Sequence, residues 1–180
     1  MKSSYTTKRL ILQTLDFNNA HKVLSFYEDN KDFFEPWESK RPSNFYTFAY
    51  HRTSLIIEEE LLRKDKALRF WVFLKDNTDL IIGTVSFYNI RRNTYSSCQI
   101  GYKFDKDHVN MGYAYEAINF SMKIIKKEYN LHRLEAKIMP SNTKSIKLIK
   151  KLGFEYEELE PSSIKIMGKW EDHQIYSYIY

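Results

Sequence analysis

Phe104-Asp105-Lys106-Asp107-His108-Val109-Asn110-Met111-Gly112-Tyr113-Ala114-Tyr115-Glu116-Ala117 is the stretch on which the reading of this chain turns. A β-rich run ends at Phe104, a short polar loop follows, and Gly112 opens a segment in which Ala114, Ala117, Ile118, Ser121, Met122 and Ile125 recur at helical spacing. That stripe is one apolar face of an amphipathic helix. The first N–H groups of a helix lack intrahelical acceptors and lie at the positive end of its dipole, so they can hold an anion where backbone approaches closely. Gly112 has no Cβ and permits that approach. A lone glycine before a helix is more often a conformational convenience, so the surroundings must decide.

Working outward, residues 97–104 read as a strand, preceded by two β-rich runs, 69–75 and 80–88, that form a hairpin around the turn-prone Asp76-Asn77-Thr78-Asp79. Downstream, Leu134, Ala136 and Ile138 alternate as in a strand, Pro140 breaks it, and Ser145, Leu148, Ile149 and Leu152 share one face of a helix stopped by Gly153. The tail 174–180 alternates Tyr176, Tyr178 and Tyr180 with Ile175, Ser177 and Ile179, again as a strand. At the other end, 9–14 predicts a first strand, and Asp16 caps a helix with the stripe Ala20, Val23, Leu24 and Tyr27. Between them, 31–48 carries Pro36 and Pro42 among Phe33, Phe34, Trp37, Phe45, Tyr46 and Phe48, an irregular aromatic segment suited to pack on the core and to line a pocket. A charged helix then runs to about Lys66.

At 180 residues with 43% apolar and 28% charged side chains, the chain reads as one folded domain spanning 1–180, not as a disordered segment. No run approaches the roughly 20 apolar residues of a membrane span, and the first residues lack a signal-peptide core, which predicts a cytoplasmic protein with no membrane partner. The net charge of +5 favours polyanions, nucleic acid and phosphorylated cofactors alike. Cys98 stands alone, which excludes an internal disulfide, and reads as a small packed side chain. His108 and His132 have no further ligand at metal-binding spacing, so no metal is expected.

Several motifs in order then carry a resemblance. They are Ile100-Gly101-Tyr102, Gly112-Tyr113-Ala114 with Glu116-Ala117, Leu131-His132-Arg133-Leu134-Glu135-Ala136, Pro140-Ser141-Asn142 with Ser145, and Lys151-Leu152-Gly153-Phe154. Arg9-Leu10 and the Phe34, Pro36 and Trp37 cluster fit the opening pattern, and Trp170, Asp172 and Tyr176 the closing one. Over 100–154 the sequence resembles the cofactor-binding half of the GNAT superfamily, and in particular RimJ/RimL-type N-terminal protein acetyltransferases. The resemblance implies an α/β (α+β) GNAT fold, with a mixed, splayed central sheet flanked by helices on both faces.

It also implies acetyl-CoA as co-substrate, held in the gap between the strands ending near Phe104 and Met139, with no metal. Cofactor contacts are expected from Phe104, Asp105, Val109, Asn110, Met111, Gly112, Tyr113, Ala114, Asn142 and Ser145. Val109 stands where the family usually has Gln or Arg, and Asn110 where it has a first glycine. Backbone amides do the donating there, and Asn tolerates left-handed conformations. Asn142 suits a helix N-cap and, by resemblance, a hydrogen bond to the pantetheine arm. Ser145 is the implied general acid to the leaving thiolate. For the base, where some relatives have an acid this chain has Ile164; Glu35 is one candidate, and a water chain through Gln99 or Tyr102 another. Trp37, Gln99 and Tyr102 are expected to meet the acceptor, whose pocket should draw on 31–66 and 155–169.

The acceptor implied is a primary amine, on a protein N-terminus such as that of a ribosomal protein or on a small molecule, and a homodimer is an expectation from relatives. The alternative is a catalytically weak module that senses acetyl-CoA or docks on RNA, argued from Val109, Asn110 and the missing acid. RNA docking needs exposed aromatic strands, whereas the tyrosine-rich strands here read as core.

Overall fold

Along β3 (Leu68–Leu74) the large side chains divide between two cores. Leu68, Phe70 and Val72 join one apolar cluster, whereas Trp71 and Phe73 join another with Phe26, Tyr27 and Leu55. A strand buried on both faces requires cover on both sides of its sheet. The computed structural model, which describes residues 2–180, provides it. Helices α1 (Ala20–Asp29) and α3 (Phe48–Arg63) pack on one face, and α4 (Tyr113–Tyr129) and α5 (Thr143–Lys151) on the other. A short helix α2 (Lys31–Phe34) leads into the aromatic segment. None of the described helices is long and apolar enough to cross a membrane.

The remaining strands are β1 (Ser4–Thr6), β2 (Leu10–Gln13), β4 (Asn77–Arg91), β5 (Ser97–Phe104), β6 (Arg133–Ile138), β7 (Glu155–Ile166) and β8 (Lys169–Ile179). They form one 8-stranded sheet in the order β1-β2-β3-β4-β5-β6-β8-β7. Among the described strands only β5 and β6 run parallel, and they pair briefly, from Ser97 opposite Arg133 to Gln99 opposite Glu135. Beyond that point β5 stays bound to β4, and β6 to β8, each by an antiparallel ladder. The two arms of the sheet diverge, and the gap between them is the splay expected of the fold.

Most predicted elements fall where the sequence puts them. β5, β6 and α4 match, and Leu134, Ala136 and Ile138 are all buried. Gly153 ends α5 in a left-handed residue (φ +89°), with its own N–H donating to the Lys150 carbonyl and that of Phe154 to Ile149, a Schellman stop. Three expectations need adjusting. Asp16 caps a single 3₁₀ turn, Phe17–Asn19, rather than α1 itself. Leu74 pairs with Asn77, so the hairpin turn is Lys75-Asp76 and Asn77 onward is already strand. The strand read at 9–14 is the second of the sheet, β2, preceded by β1, while the segment after α5, to which the sequence reading gave no element, forms β7, the outer strand of a long hairpin with β8.

Candidate active site

The gap between the β5 and β6 arms is a cavity of about 680 Å³. One wall is backbone. Asp105 donates its N–H to the Ile82 carbonyl on β4, 2.9 Å away. In an antiparallel ladder successive residues point their N–H and C=O to opposite sides, so those of Phe104, Tyr102 and Ile100 turn toward the gap.

The floor at one end is the loop into α4. Asn110 and Gly112 both adopt left-handed backbone, φ +61° and +79°, which realises the tolerance expected of Asn at 110. The N–H groups of Tyr113, Ala114 and Tyr115 open the helix and have no intrahelical acceptor, while Glu116 already donates to the Gly112 carbonyl at 3.1 Å. Phe104, Val109, Asn110, Gly112 and Ala114 line the cavity, as does Asn142 at the start of α5. Asp105, Met111 and Tyr113, also expected at the cofactor, stand behind that lining. The Asp105 carboxylate is buried and accepts from the Asp107 N–H at 2.7 Å, which fixes the loop's first turn.

Met111 and Tyr113 are held from outside by Arg9. Its guanidinium donates to the Met111 carbonyl (2.9 Å) and to Glu116 Oε2 (2.7 Å), and lies 4.4 Å from the centre of the Tyr113 ring. Glu116 Oε1 also accepts from the Arg9 N–H (2.8 Å) and from the Thr7 hydroxyl (2.6 Å). These bonds hold the Glu116 carboxyl below its usual range, even though its partial burial pushes it the other way. The loop is thus anchored to the first strands of the chain.

Across the gap, Asn142 caps α5 by accepting the Ser145 N–H (3.1 Å), and this orients the first turn so that the Ser145 hydroxyl meets the Tyr102 phenol at 2.7 Å. The Tyr102 hydroxyl also lies 3.2 Å from the Ser145 carbonyl. Burial pushes Tyr102 up to about 12, so it is fully protonated at neutral pH. When the phenol donates to Oγ, the serine proton is free to turn toward the gap, which makes a two-hydroxyl relay on the cavity wall. Tyr102, read from the sequence as an acceptor contact, therefore stands on the same side of the sheet as Ser145. Lys144 and Lys151 line the outer end of the cavity.

On the opposite face a second cavity, about 550 Å³, shares Trp37, Glu38, Tyr88, Lys137 and His173 with the first. Gln99 lines this second cavity, and its amide oxygen accepts from Asn89 at 2.8 Å. Trp37 and Gln99 are thus brought to one opening, whereas Tyr102 faces away from it. Glu35 lines neither cavity; it accepts from the Tyr46 hydroxyl at 3.3 Å. The acid at the cavities is Glu38, one turn further on, ion-paired with Arg41 and Lys103. Sequence reasoning passed over Glu38, Lys103, Tyr88 and His173. Only Tyr88 carried a local signal, since the hairpin places it opposite Gln99. Cys98 is buried, which pushes its thiol up to about 12 and leaves it a packed, inert side chain. His132 contributes backbone contacts with Ser96 and Tyr180, and His108 lies 3.6 Å from Asp105.

A sheet split between one parallel pair, a helix N-terminus opening on the split and a hydroxyl relay across it define an acetyltransferase of the GNAT type. The chain belongs to that family: residues 9–155 match the acetyltransferase (GNAT) domain. It is 34% identical over 168 residues to a probable N-acetyltransferase, YjcK, of Bacillus subtilis, with 93% of this chain and 92% of that protein covered. The structure of the ribosomal-protein-S5-alanine acetyltransferase from Vibrio fischeri superposes with a TM-score of 0.93 at 31% identity, covering 99% and 97% of the two chains. RimJ of Mycobacterium smegmatis, solved in complex with CoA-disulfide, shares the fold with a TM-score of 0.88 at 21% identity, over 94% of this chain and 81% of that one. A ribosomal-protein alanine acetyltransferase is thus among its relatives within the family.

Proposed function

We propose that this protein transfers an acetyl group from acetyl-CoA directly to a primary amine, with a protein N-terminus as the acceptor class. The observation that carries the reading is the splayed gap itself, with free helix N–H groups at one end and the Tyr102–Ser145 hydroxyl pair on its wall.

The residues present fit the co-substrate. Gly112 takes the left-handed turn (φ +79°) that presents the α4 N–H groups, and a Cβ there would press on Arg9 Nη2 at 3.3 Å. Those N–H groups and the helix dipole suit a pyrophosphate, and Lys144 and Lys151 add positive charge. The unpaired edges of β5 and β6 offer backbone donors and acceptors to amide groups of a pantetheine arm. When bound, acetyl-CoA supplies an acetyl group activated as a thioester. The chain's own contributions are an N–H on the free edge of β5 to hold a developing oxyanion, and the Ser145 hydroxyl, backed by Tyr102, to protonate a leaving thiolate.

The acceptor side supports an amine that arrives from the face opposite α4 and α5, through the cavity ringed by Trp37, Tyr88 and Gln99. A protein N-terminus is favoured because the relative from Vibrio fischeri is named for acetylating the alanine of a ribosomal protein. The test is CoA release from acetyl-CoA in the presence of alanine-initiated peptides, polyamines and free amino acids in turn. Turnover with the peptides is expected. Turnover confined to polyamines would replace the acceptor class, and none with any amine would oppose the transferase reading.

A further inference from the structure

An amine acceptor reaches the enzyme mostly as an ammonium, since an α-amino group titrates near pH 8 and a simple alkylamine about two units higher. It attacks a thioester only after losing a proton, so the acceptor side needs a group that both binds N–H and accepts H⁺. Glu38 is the only carboxylate among the described residues that line either cavity, and it lines both. Its place is fixed from three directions. Lys103, from the gap-lining stretch of β5, and Arg41 reach its side chain, and the Met167 N–H at the tip of the β7–β8 hairpin donates to its carbonyl at 3.3 Å. Lys103 in turn lies 5.1 Å from the Tyr27 ring centre and 5.6 Å from that of Phe34.

Resting on the acetyltransferase reading above, we propose that Glu38 is the catalytic carboxylate of the acceptor side, receiving the acceptor's ammonium where the two cavities meet and taking its proton. A carboxylate has about four acceptor sites, so Lys103 and Arg41 leave lone pairs for a third donor. The same two cations disfavour a third positive charge and push the bound amine toward its neutral form. The step balances as follows. Glu38 takes one proton from the ammonium; the freed lone pair bonds to the acetyl carbon while the C–S bond breaks. The thiolate takes a proton from the Ser145 hydroxyl, which recovers one from water through Tyr102, while the new amide nitrogen sheds its second proton to water. Glu38 then loses its proton to water.

Initial rates of CoA release with an alanine-initiated hexapeptide and with ethylamine, measured beside acetyl-CoA-induced thermal stabilisation, test this. Glu38→Gln is expected to lower kcat/KM for both amines at least about 100-fold, the low end for general-base catalysis, with the stabilisation by acetyl-CoA unchanged. Should that variant fail to fold because Lys103 loses its partner, Glu38→Gln combined with Lys103→Met removes both halves of the pair, and the same loss is expected. Rates within about threefold of the parent in either folded variant would overturn the proposal. So would a parent protein that is stabilised by acetyl-CoA yet acetylates neither amine. A parent not stabilised by acetyl-CoA would instead defeat the reading on which the proposal rests.

Discussion

The two sides of the central gap are built on different principles. The cofactor side is made of local structure. A strand edge, a left-handed glycine, a helix N-terminus and an N-capped helix follow one another between Ser97 and Lys151. On the function proposed above its working groups are mostly backbone, so the side chains at Val109 and Asn110 depart from the family pattern without removing a donor. The acceptor side is made of long-range side-chain contacts: Glu38 to Lys103, Tyr88 beside Gln99, Lys137 bound to Glu160, and the β7–β8 hairpin tip against the aromatic segment. On the function proposed above, backbone geometry would hold one ligand and a wall of paired side chains would meet the other.

The sharpest way to break the comparison is Gly112→Val. A β-branched residue at φ +79° costs on the order of 1–3 kcal/mol in strain, and its Cβ would press on Arg9 Nη2 at 3.3 Å, so the loop that carries the α4 N–H groups must shift. Acetyl-CoA affinity measured by calorimetry should fall at least about 100-fold; an unchanged affinity would mean that the loop backbone is not the anion site. Ser145→Ala should lower kcat about 100-fold while leaving acetyl-CoA affinity within about twofold, as expected of a general acid. Unchanged turnover would remove the serine from the chemistry. Arg9→Met tests whether the cofactor side is local, because Arg9 reaches the loop from the bend between β1 and β2. Its partly exposed pair with Glu116 contributes only about 1 kcal/mol or less to stability, so the expected sign is a roughly fivefold weaker acetyl-CoA affinity with little change in Tm. A large fall in Tm with affinity intact would make Arg9 a fold determinant instead.

The smallest effect lies under the acceptor wall. His51 is buried against Tyr27, with rings 5.2 Å apart and nearly parallel, and burial, followed by Arg41 and Arg69, pushes it down to about 4. Because the folded form binds the proton less readily than the unfolded chain, the stability from a neutral His51 is present above about pH 6.5 and is lost as pH falls toward 4. His51→Phe keeps the stacking and cannot protonate. Its Tm should fall less than the parent's between those pH values, and identical pH slopes would assign the acid sensitivity elsewhere.

The same contrast explains what the sequence made legible. α4 and β6 carry strong periodicity because one face of each is buried, and the loop between β5 and α4 announces itself through Gly112. β7 carries no such signal: as the edge strand it leaves most side chains exposed, and its register breaks between Glu160 and Ile164, around Pro161. The Tyr102–Ser145 pair joins residues 43 apart, so each was visible but not their contact. Glu35 drew the sequence reading and Glu38 did not, for a related reason. Both are acids in one aromatic segment, and only the distant Lys103 and the hairpin tip distinguish them.

Thermal unfolding with and without acetyl-CoA, with ATP as the control polyanion, tests the central claim most directly. A ligand of the native state at about 100 times its dissociation constant adds about 2.7 kcal/mol, which for a domain of this size raises Tm by roughly 5–10 °C. The account predicts that rise with acetyl-CoA and not with ATP. No rise, or an equal one with both, would contradict a built acetyl-CoA site in the gap between β5 and β6.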